Sequence, residues 1–189
     1  MGHAIIVGDA CSGKSTVMEL LSAKGFNVVF EEGLPVIPFE VENDKFLSNK
    51  WFIDYYHKRE KNIVISTIFE YVLHFQYPFT IAQRKTGKIT PGQEVMLVSY
   101  LSSLTTPLDL STLVFHFTLD NSTILSRLGE KKLFKPIGHT AYLDMLRSET
   151  QRYFSSRTRY FTIDVTSKTP QEVCEWVEEI LKNEGFERG

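Results

Sequence analysis

The sequence has little of several features that mark specialised classes of protein. Two cysteines occur among 189 residues, too few for a disulfide framework, which favours a reducing compartment such as the cytoplasm. No apolar run is long enough to cross a bilayer, and the chain enters an apolar segment at residue 4, so we expect neither a membrane anchor nor a signal peptide. The formal net charge is −2, so no overall positive field attracts nucleic acid. Repeats, linkers and low-complexity tracts are lacking as well, which predicts one domain over residues 1–189.

The most informative stretch is Gly-Asp-Ala-Cys-Ser-Gly-Lys-Ser at residues 8–15. It matches the pattern G-x-x-x-x-G-K-[ST], follows an apolar run that predicts a strand at residues 4–7, and opens an amphipathic segment. Glycines at both ends permit backbone angles that other residues avoid, so the loop can surround a phosphate with its N–H groups at the positive end of the following helix. A strand, a loop and a helix in this order predict a nucleotide phosphate site.

The pattern also assigns roles to single residues. Lys14 is expected to reach the β- and γ-phosphates of ATP as a catalytic cation, and the Ser15 hydroxyl is expected to complete the coordination of Mg²⁺. ATP and Mg²⁺ are therefore the predicted cofactors. The predicted cofactor-binding residues are Gly8, Asp9, Ala10, Cys11, Ser12, Gly13, Lys14, Ser15 and Thr16.

Strand-like and helix-like segments alternate along the rest of the chain. After the first strand, strands are predicted at residues 26–31, 62–66, 112–117 and 160–164. Helices are predicted after the phosphate loop and at residues 43–61, 68–83 with a break at Pro78, 90–104, 121–128, 141–154 and from 169 onward. The alternation predicts an α/β fold, with a doubly wound parallel five-stranded sheet and helices on both faces. Ligands bind such sheets beyond the carboxyl ends of the strands, so the polar residues that follow each predicted strand are candidate site residues. They are Glu31 and Glu32, Ser66 and Thr67 with Glu70 further on, Asp120 and Asn121, and Asp164 and Thr166.

In these features the chain resembles the P-loop nucleoside and nucleotide kinases, with deoxynucleoside kinases as the nearest relatives. The resemblance covers the whole chain in topology and is specific only at the phosphate loop. It implies ATP-dependent phosphoryl transfer to a small-molecule acceptor, a nucleoside or nucleotide in first place. It rests on the phosphate loop, on Glu31-Glu32 after the second strand, on the basic segment near Arg127, and on the strand at residues 161–165 followed by Thr169-Pro170-Gln171-Glu172.

In the deoxynucleoside kinases, a glutamate after the second strand acts as the base toward the substrate hydroxyl. The resemblance gives this catalytic role to Glu32 or Glu31. A carboxylate within hydrogen-bond reach can position that hydroxyl and take its proton. Neighbouring residues of an extended segment point to opposite sides, so only one of the two faces the site. Glu32 is favoured because it lies where the chain leaves the sheet for the proline-rich loop.

The basic segment at residues 127–139 corresponds to the lid of the same family. Arg127 is the expected catalytic arginine, because a lid arginine neutralises charge on the transferring phosphoryl group and helps to exclude water. Lys131 and Lys132 are weaker candidates, and Arg152 is a further arginine that could face the site. Most of the remaining arginines of this zone, among them Arg147, are expected on helix surfaces.

One departure from the family concerns the third strand. The family carries an acid-arginine-serine motif after that strand, whereas Ser66-Thr67-Ile68 follows the predicted strand here. Glu70 could substitute for the acid. The gap keeps a second class open, a nucleotide-binding or switch protein without transfer activity. A DNA-modifying kinase is less favoured because the chain lacks positive net charge, and a homodimer is left open.

Overall fold

A computed structural model describes residues 3–30, 37–60, 67–70, 72–130 and 140–186. The strands in these ranges are β1 (Ala4–Gly8), β2 (Val28–Val29), β3 (Ile68–Glu70), β4 (Leu113–Thr118) and β5 (Arg159–Asp164). The helices are α1 (Lys14–Ala23), α2 (Phe39–Glu42), α3 (Lys45–Glu60), α4 (Gln76–Lys85), α5 (Pro91–Leu104), α6 (Asn121–Glu130), α7 (Thr140–Ser155) and α8 (Pro170–Asn183), and a 3₁₀ turn at Leu73–Phe75 precedes α4. None of the helices in the described ranges is long and apolar enough to span a membrane.

The five strands form one parallel sheet in the order β2-β3-β1-β4-β5. The predicted five-stranded parallel sheet is therefore confirmed. β1 lies at its centre, between β3 and β4, which explains why residues 4–7 are continuously apolar and fully buried. Because β1 is central, the loop that follows it lies in the middle of the carboxyl edge, where ligands bind in such folds.

Helices cover both faces of the sheet. Ala4 and Ile6 of β1 pack in a core cluster with side chains of α1 and α8. Ile5 and Val7 belong to a second cluster that contains Phe154 of α7. Successive side chains of a strand point to opposite faces, so these clusters lie on the two sides of the sheet. A third cluster joins side chains of α3, α5 and the 3₁₀ turn.

The third strand is where the sequence pattern and the structure differ most. Residues 62–66, which the pattern predicts as that strand, lie outside the described residues. The third strand of the sheet is Ile68–Glu70, paired with β1 on one side and β2 on the other, so the predicted helix start at residue 68 is wrong. The helix begins at Gln76, which places Pro78 in its first turn, where the missing proline N–H is not needed.

The other elements agree with the pattern within a few residues. β2 is shorter than the predicted strand at 26–31, and the region after Phe30 is not described. The last helix begins as predicted, with a capping box in which Thr169 and Glu172 bond each other's backbone N–H groups. A second capping box, formed by Thr90 and Gln93, starts α5.

Candidate active site

The loop between β1 and α1 is tightly curled, as the glycine spacing predicts. Gly8 and Gly13 have positive φ angles of 151° and 82°. A Cβ atom at Gly8 would lie 2.1 Å from the backbone oxygen of Phe117 on β4, so this position admits only glycine without a backbone shift. Cys11 also has a positive φ of 61°, which is uncommon for a residue other than glycine. The loop thus combines the phosphate-binding pattern with the curvature that such loops need.

Lys14 is buried, and its ammonium group lies inside the loop. Nζ donates hydrogen bonds to the backbone oxygens of Asp9 at 2.7 Å and Gly8 at 3.2 Å. A longer bond of 3.4 Å reaches the hydroxyl of Ser12. The cation that is expected to meet the β- and γ-phosphates is therefore located where those phosphates would enter the loop.

Ser15 contacts an acid from another strand. Its hydroxyl donates a hydrogen bond of 2.9 Å to Oε1 of Glu70, the last residue of β3. Glu70 is 5% exposed, and its second oxygen, Oε2, has no hydrogen-bond partner in the described structure. A buried carboxylate oxygen without a partner is costly and points to a cation or water. Mg²⁺ takes oxygen ligands, commonly one or two carboxylates together with phosphates and water, so Ser15 and Glu70 fit this ion.

This contact corrects the departure noted from the sequence. The third strand extends to Glu70, so an acid is present at its carboxyl end. Thr67, expected beyond the carboxyl end of the strand, instead lies at its amino end and accepts a hydrogen bond from the Asn27 side chain at 2.9 Å. The arginine of the family motif is still missing, because Tyr71 follows Glu70 in the sequence.

Arg127 reaches the phosphate loop from α6. Its Nη1 donates a hydrogen bond of 2.9 Å to the backbone oxygen of Cys11. It also lines a cavity of about 410 Å³ whose other walls, among the described residues, come from the loop and the start of α1. The lining residues are Cys11, Ser12, Gly13, Lys14, Ser15, Thr16 and Arg127. The structure thus brings Arg127 to the loop, as the sequence predicts, while its role in transfer stays a prediction.

Arg147 is a residue that the sequence reasoning missed. It was expected on a helix surface, but its Nε donates a hydrogen bond of 2.7 Å to the carboxylate of Asp9 inside the phosphate loop. An acid in the second position of a phosphate-binding loop is a sequence signal that a compensating cation is needed. Nothing in the spacing of the chain identifies which arginine supplies it.

His116 is a second residue near the loop that the sequence did not indicate. It lies on β4 in register with Val7, is 3% exposed, and its Nδ1 contacts the Tyr160 hydroxyl. Burial lowers the pKa of His116 from 6.5 to about 4, and the positive charges of Lys14 and Arg147 act in the same direction. The imidazole is therefore neutral at physiological pH.

Polar residues after β4 and β5 are used by the fold. Asp120 accepts the backbone N–H of Thr123 at 2.8 Å at the start of α6. Hydrogen bonds from Ser122 and Thr123 hold the pKa of this exposed carboxyl well below its ordinary range. Asp164 accepts the backbone N–H of Thr166 at 2.9 Å in a turn. These acids stabilise the carboxyl edge without entering the phosphate cavity.

Several predicted residues are not brought to the loop or are not described. Arg152 forms an ion pair of 2.6 Å with Glu149 on its own helix and is 65% exposed, so the structure does not bring it to the loop. Outside the described residues lie Glu31, Glu32 and residues 131–139 of the predicted lid at 127–139, which include Lys131 and Lys132. The base and most of the lid therefore remain predictions.

Comparison with known proteins finds similarity in structure. No family model and no curated protein sequence matches the chain. Deoxyadenosine kinase from M. mycoides, with the products dCMP and a flexible dCDP bound, aligns with a TM-score of 0.75 at 16% identity, over 96% of this chain and 98% of its own. Thymidylate kinase from Candida albicans aligns with a TM-score of 0.56 at 16% identity, over 96% and 91% of the two chains. The YorR protein from Bacillus subtilis, in complex with phosphorylated GDP, aligns with a TM-score of 0.55 at 15% identity, over 99% of both chains.

At such low identity, the similarity shows the fold. It extends over nearly the whole length of both chains in each pair. The chain therefore has the fold of the P-loop nucleoside and nucleotide kinases.

Proposed function

We propose that this protein transfers the γ-phosphoryl group of ATP to a nucleoside or a nucleotide. The observation that carries the proposal is the contact between Ser15 and Glu70. It brings a buried carboxylate with an unpartnered oxygen against the hydroxyl of the phosphate loop, beside the cations Lys14 and Arg127. A phosphate cradle, two cations and an acid that fits magnesium are the components that phosphoryl transfer requires.

The described residues have roles that follow from their positions, and the role of Glu32 or Glu31 follows from the resemblance to the deoxynucleoside kinases. The loop N–H groups and Lys14 hold the β- and γ-phosphates, and Arg127 offsets the charge that develops during transfer. Ser15 and Glu70 hold magnesium, which, when bound with the nucleotide, neutralises charge on the phosphate oxygens. Glu32, or else Glu31, positions the acceptor hydroxyl and takes its proton. The acceptor oxygen then bonds to the γ-phosphorus, and the bond from that phosphorus to ADP breaks.

The nature of the acceptor is supported by the proteins of similar fold. One is a deoxyadenosine kinase with dCMP and dCDP bound, and another is a thymidylate kinase.

Both cysteines of the chain are free thiols, which supports the cytoplasmic location that we also propose.

The direct test is transfer of labelled phosphate from γ-labelled ATP to a panel of nucleosides and nucleoside monophosphates with Mg²⁺ present. We expect a labelled product with at least one member of the panel. Lys14→Met should abolish the product without unfolding the protein, because it removes the cation inside the loop. Glu70→Gln keeps the hydrogen bond to Ser15 but loses the charge, so it should raise the Mg²⁺ concentration that gives half the maximal rate.

A matched control is Glu94→Gln on α5, which neutralises an acid that pairs with Arg84 away from the phosphate loop. It should leave the Mg²⁺ dependence unchanged. The kinase proposal would be refuted if the wild type bound ATP, lost that binding in the Lys14 variant, and transferred phosphate to no acceptor of the panel. That result would favour a non-catalytic nucleotide-binding protein. A DNA oligonucleotide with a free 5′-hydroxyl belongs in the panel, because labelling of it alone would indicate a DNA-modifying kinase.

A further inference from the structure

Asp9 is an acid inside the loop that the proposed function assigns to phosphate binding. Its side chain is 5% exposed, and its backbone oxygen accepts a hydrogen bond of 2.7 Å from the ammonium group of Lys14. A negative charge so placed repels a bound triphosphate, because charges interact strongly where water is excluded. Nucleotide binding by this loop therefore requires that the charge of Asp9 be offset.

The Asp9 carboxylate has two donors on one oxygen. Oδ2 accepts the backbone N–H of Leu119 at 2.8 Å and the Nε of Arg147 at 2.7 Å. The backbone N–H of Asp9 donates to the oxygen of Phe117 at 3.0 Å. Asp9 thus ties the loop to the end of β4 at two points, and Arg147 supplies the positive charge.

The guanidinium of Arg147 is held by further bonds. Nη2 donates to Oδ1 of Asn121 at 2.6 Å, and Nη1 donates to Oδ1 of Asp144 at 2.9 Å. The Asn121 amide donates in turn to the same Asp144 oxygen at 3.0 Å. Arg147 is therefore oriented by the start of α6 and by its own helix, α7. A guanidinium group that is fixed in this way loses little further conformational entropy when it pairs with a carboxylate.

We propose that Arg147 is a positioning residue for nucleotide binding: it neutralises Asp9, so that the phosphate loop can keep its anchoring acid and still accept a triphosphate. The inference rests on the proposed function of the loop. It concerns a residue that acts through Asp9 and leaves direct phosphate contacts to the loop and Lys14.

The test is a double-mutant cycle on ATP affinity, measured by displacement of a fluorescent ATP analogue. Arg147→Met should weaken binding by about tenfold or more, which is about 1.4 kcal/mol, because it leaves the Asp9 charge uncompensated. Asp9→Asn can still accept the Leu119 N–H and carries no charge, so binding should stay close to that of the wild type. In the double variant the affinity should return toward the wild-type value, an outcome that a merely structural role of Arg147 does not produce.

Two further variants keep the experiment interpretable. Arg147→Lys retains the charge, so its affinity for ATP should fall much less than that of Arg147→Met. The lysine variant also gives a result if the methionine variant fails to fold. Arg152→Met is the matched control, because it removes an arginine from the same helix that pairs with a buried acid, Glu149. Its affinity for ATP should equal that of the wild type.

The outcomes separate this inference from the function on which it rests. A wild-type protein that binds no nucleotide would refute the proposed function and the inference with it. A wild-type protein that binds ATP, with an Arg147→Met variant that binds equally well, would overturn the inference alone. A double variant as weak as Arg147→Met would also overturn it, because removal of the Asp9 charge would then have restored nothing.

Discussion

Replacing His116 with asparagine should make the stability of this protein less sensitive to acid. His116 is buried on β4 beneath the phosphate loop. Burial, followed by the charges of Lys14 and Arg147, lowers its pKa from 6.5 to about 4. The folded protein therefore takes up a proton at His116 only near pH 4, whereas the unfolded chain takes one up below its ordinary pKa.

The sign and the size of the effect follow from this difference. Between the two pKa values the unfolded state binds more protons than the folded state, so stability is lost as the pH falls from 6.5 toward 4. At about 1.36 kcal/mol per pH unit, the whole interval corresponds to about 3 kcal/mol. His74, whose pKa burial also lowers to about 4, adds a loss of the same sign. Glu60, whose pKa burial raises to about 7, contributes in the opposite direction.

Because these groups overlap in pH, the informative quantity is the difference in unfolding free energy between the wild type and His116→Asn. Urea denaturation followed by the fluorescence of the two tryptophans measures it at several pH values. The variant loses the contact with Tyr160, so we expect it to be less stable than the wild type at neutral pH. By about pH 4.5 the difference should have moved by roughly 2.5 kcal/mol in favour of the variant. A difference that stays constant from neutral to acid pH would refute the reasoning.

Three other substitutions have outcomes that the structure specifies. Gly8→Ala places a Cβ atom 2.1 Å from the Phe117 oxygen, so it should cost about 1–3 kcal/mol in thermal unfolding and weaken ATP binding; wild-type values in both measurements would contradict the packing. Burial raises the pKa of Glu60 to about 7, so the folded state is penalised as the pH rises from 4.5 through 7. Glu60→Gln should therefore stabilise the protein in urea titrations near pH 8 relative to its effect near pH 5, by about 2.5 kcal/mol, and an effect independent of pH would count against the burial. Thr169→Ala removes the hydroxyl that accepts the Glu172 N–H of α8 and should lower stability by about 1 kcal/mol; an unchanged melting temperature would show that the cap contributes nothing.

Local patterns were sufficient where the interacting residues are close in the chain. The curled loop between β1 and α1 was predicted because glycine spacing, the preceding apolar strand and the following helix lie within about twenty residues of one another. Its role in phosphate binding stays a prediction. The start of α8 was predicted for the same reason, since Thr169 and Glu172 bond one another three residues apart. The parallel sheet followed from the alternation of apolar runs with helical segments.

The third strand shows where such patterns fail. Residues 62–66 and 68–70 both belong to apolar stretches that suit a strand. β3 is at 68–70 because its backbone pairs with β1 at Ala4, Ile5 and Ile6 and with β2 on the other side. The paired residues lie 64 positions away in β1 and 40 positions away in β2, so local propensity does not predict the pairing.

The sequence by itself determined the loop between β1 and α1 and the class of fold, because both are encoded by neighbouring residues. Only the tertiary structure decided what surrounds the loop. Ser15 meets Glu70 across 55 positions, Arg127 meets Cys11 across 116, and Arg147 meets Asp9 across 138. Parallel strands bring their carboxyl ends to one edge in the order set by the sheet, and not in the order of the chain. The acid that fits magnesium and the cation that offsets Asp9 therefore become neighbours of the loop only when β3, β4 and α7 are packed around β1.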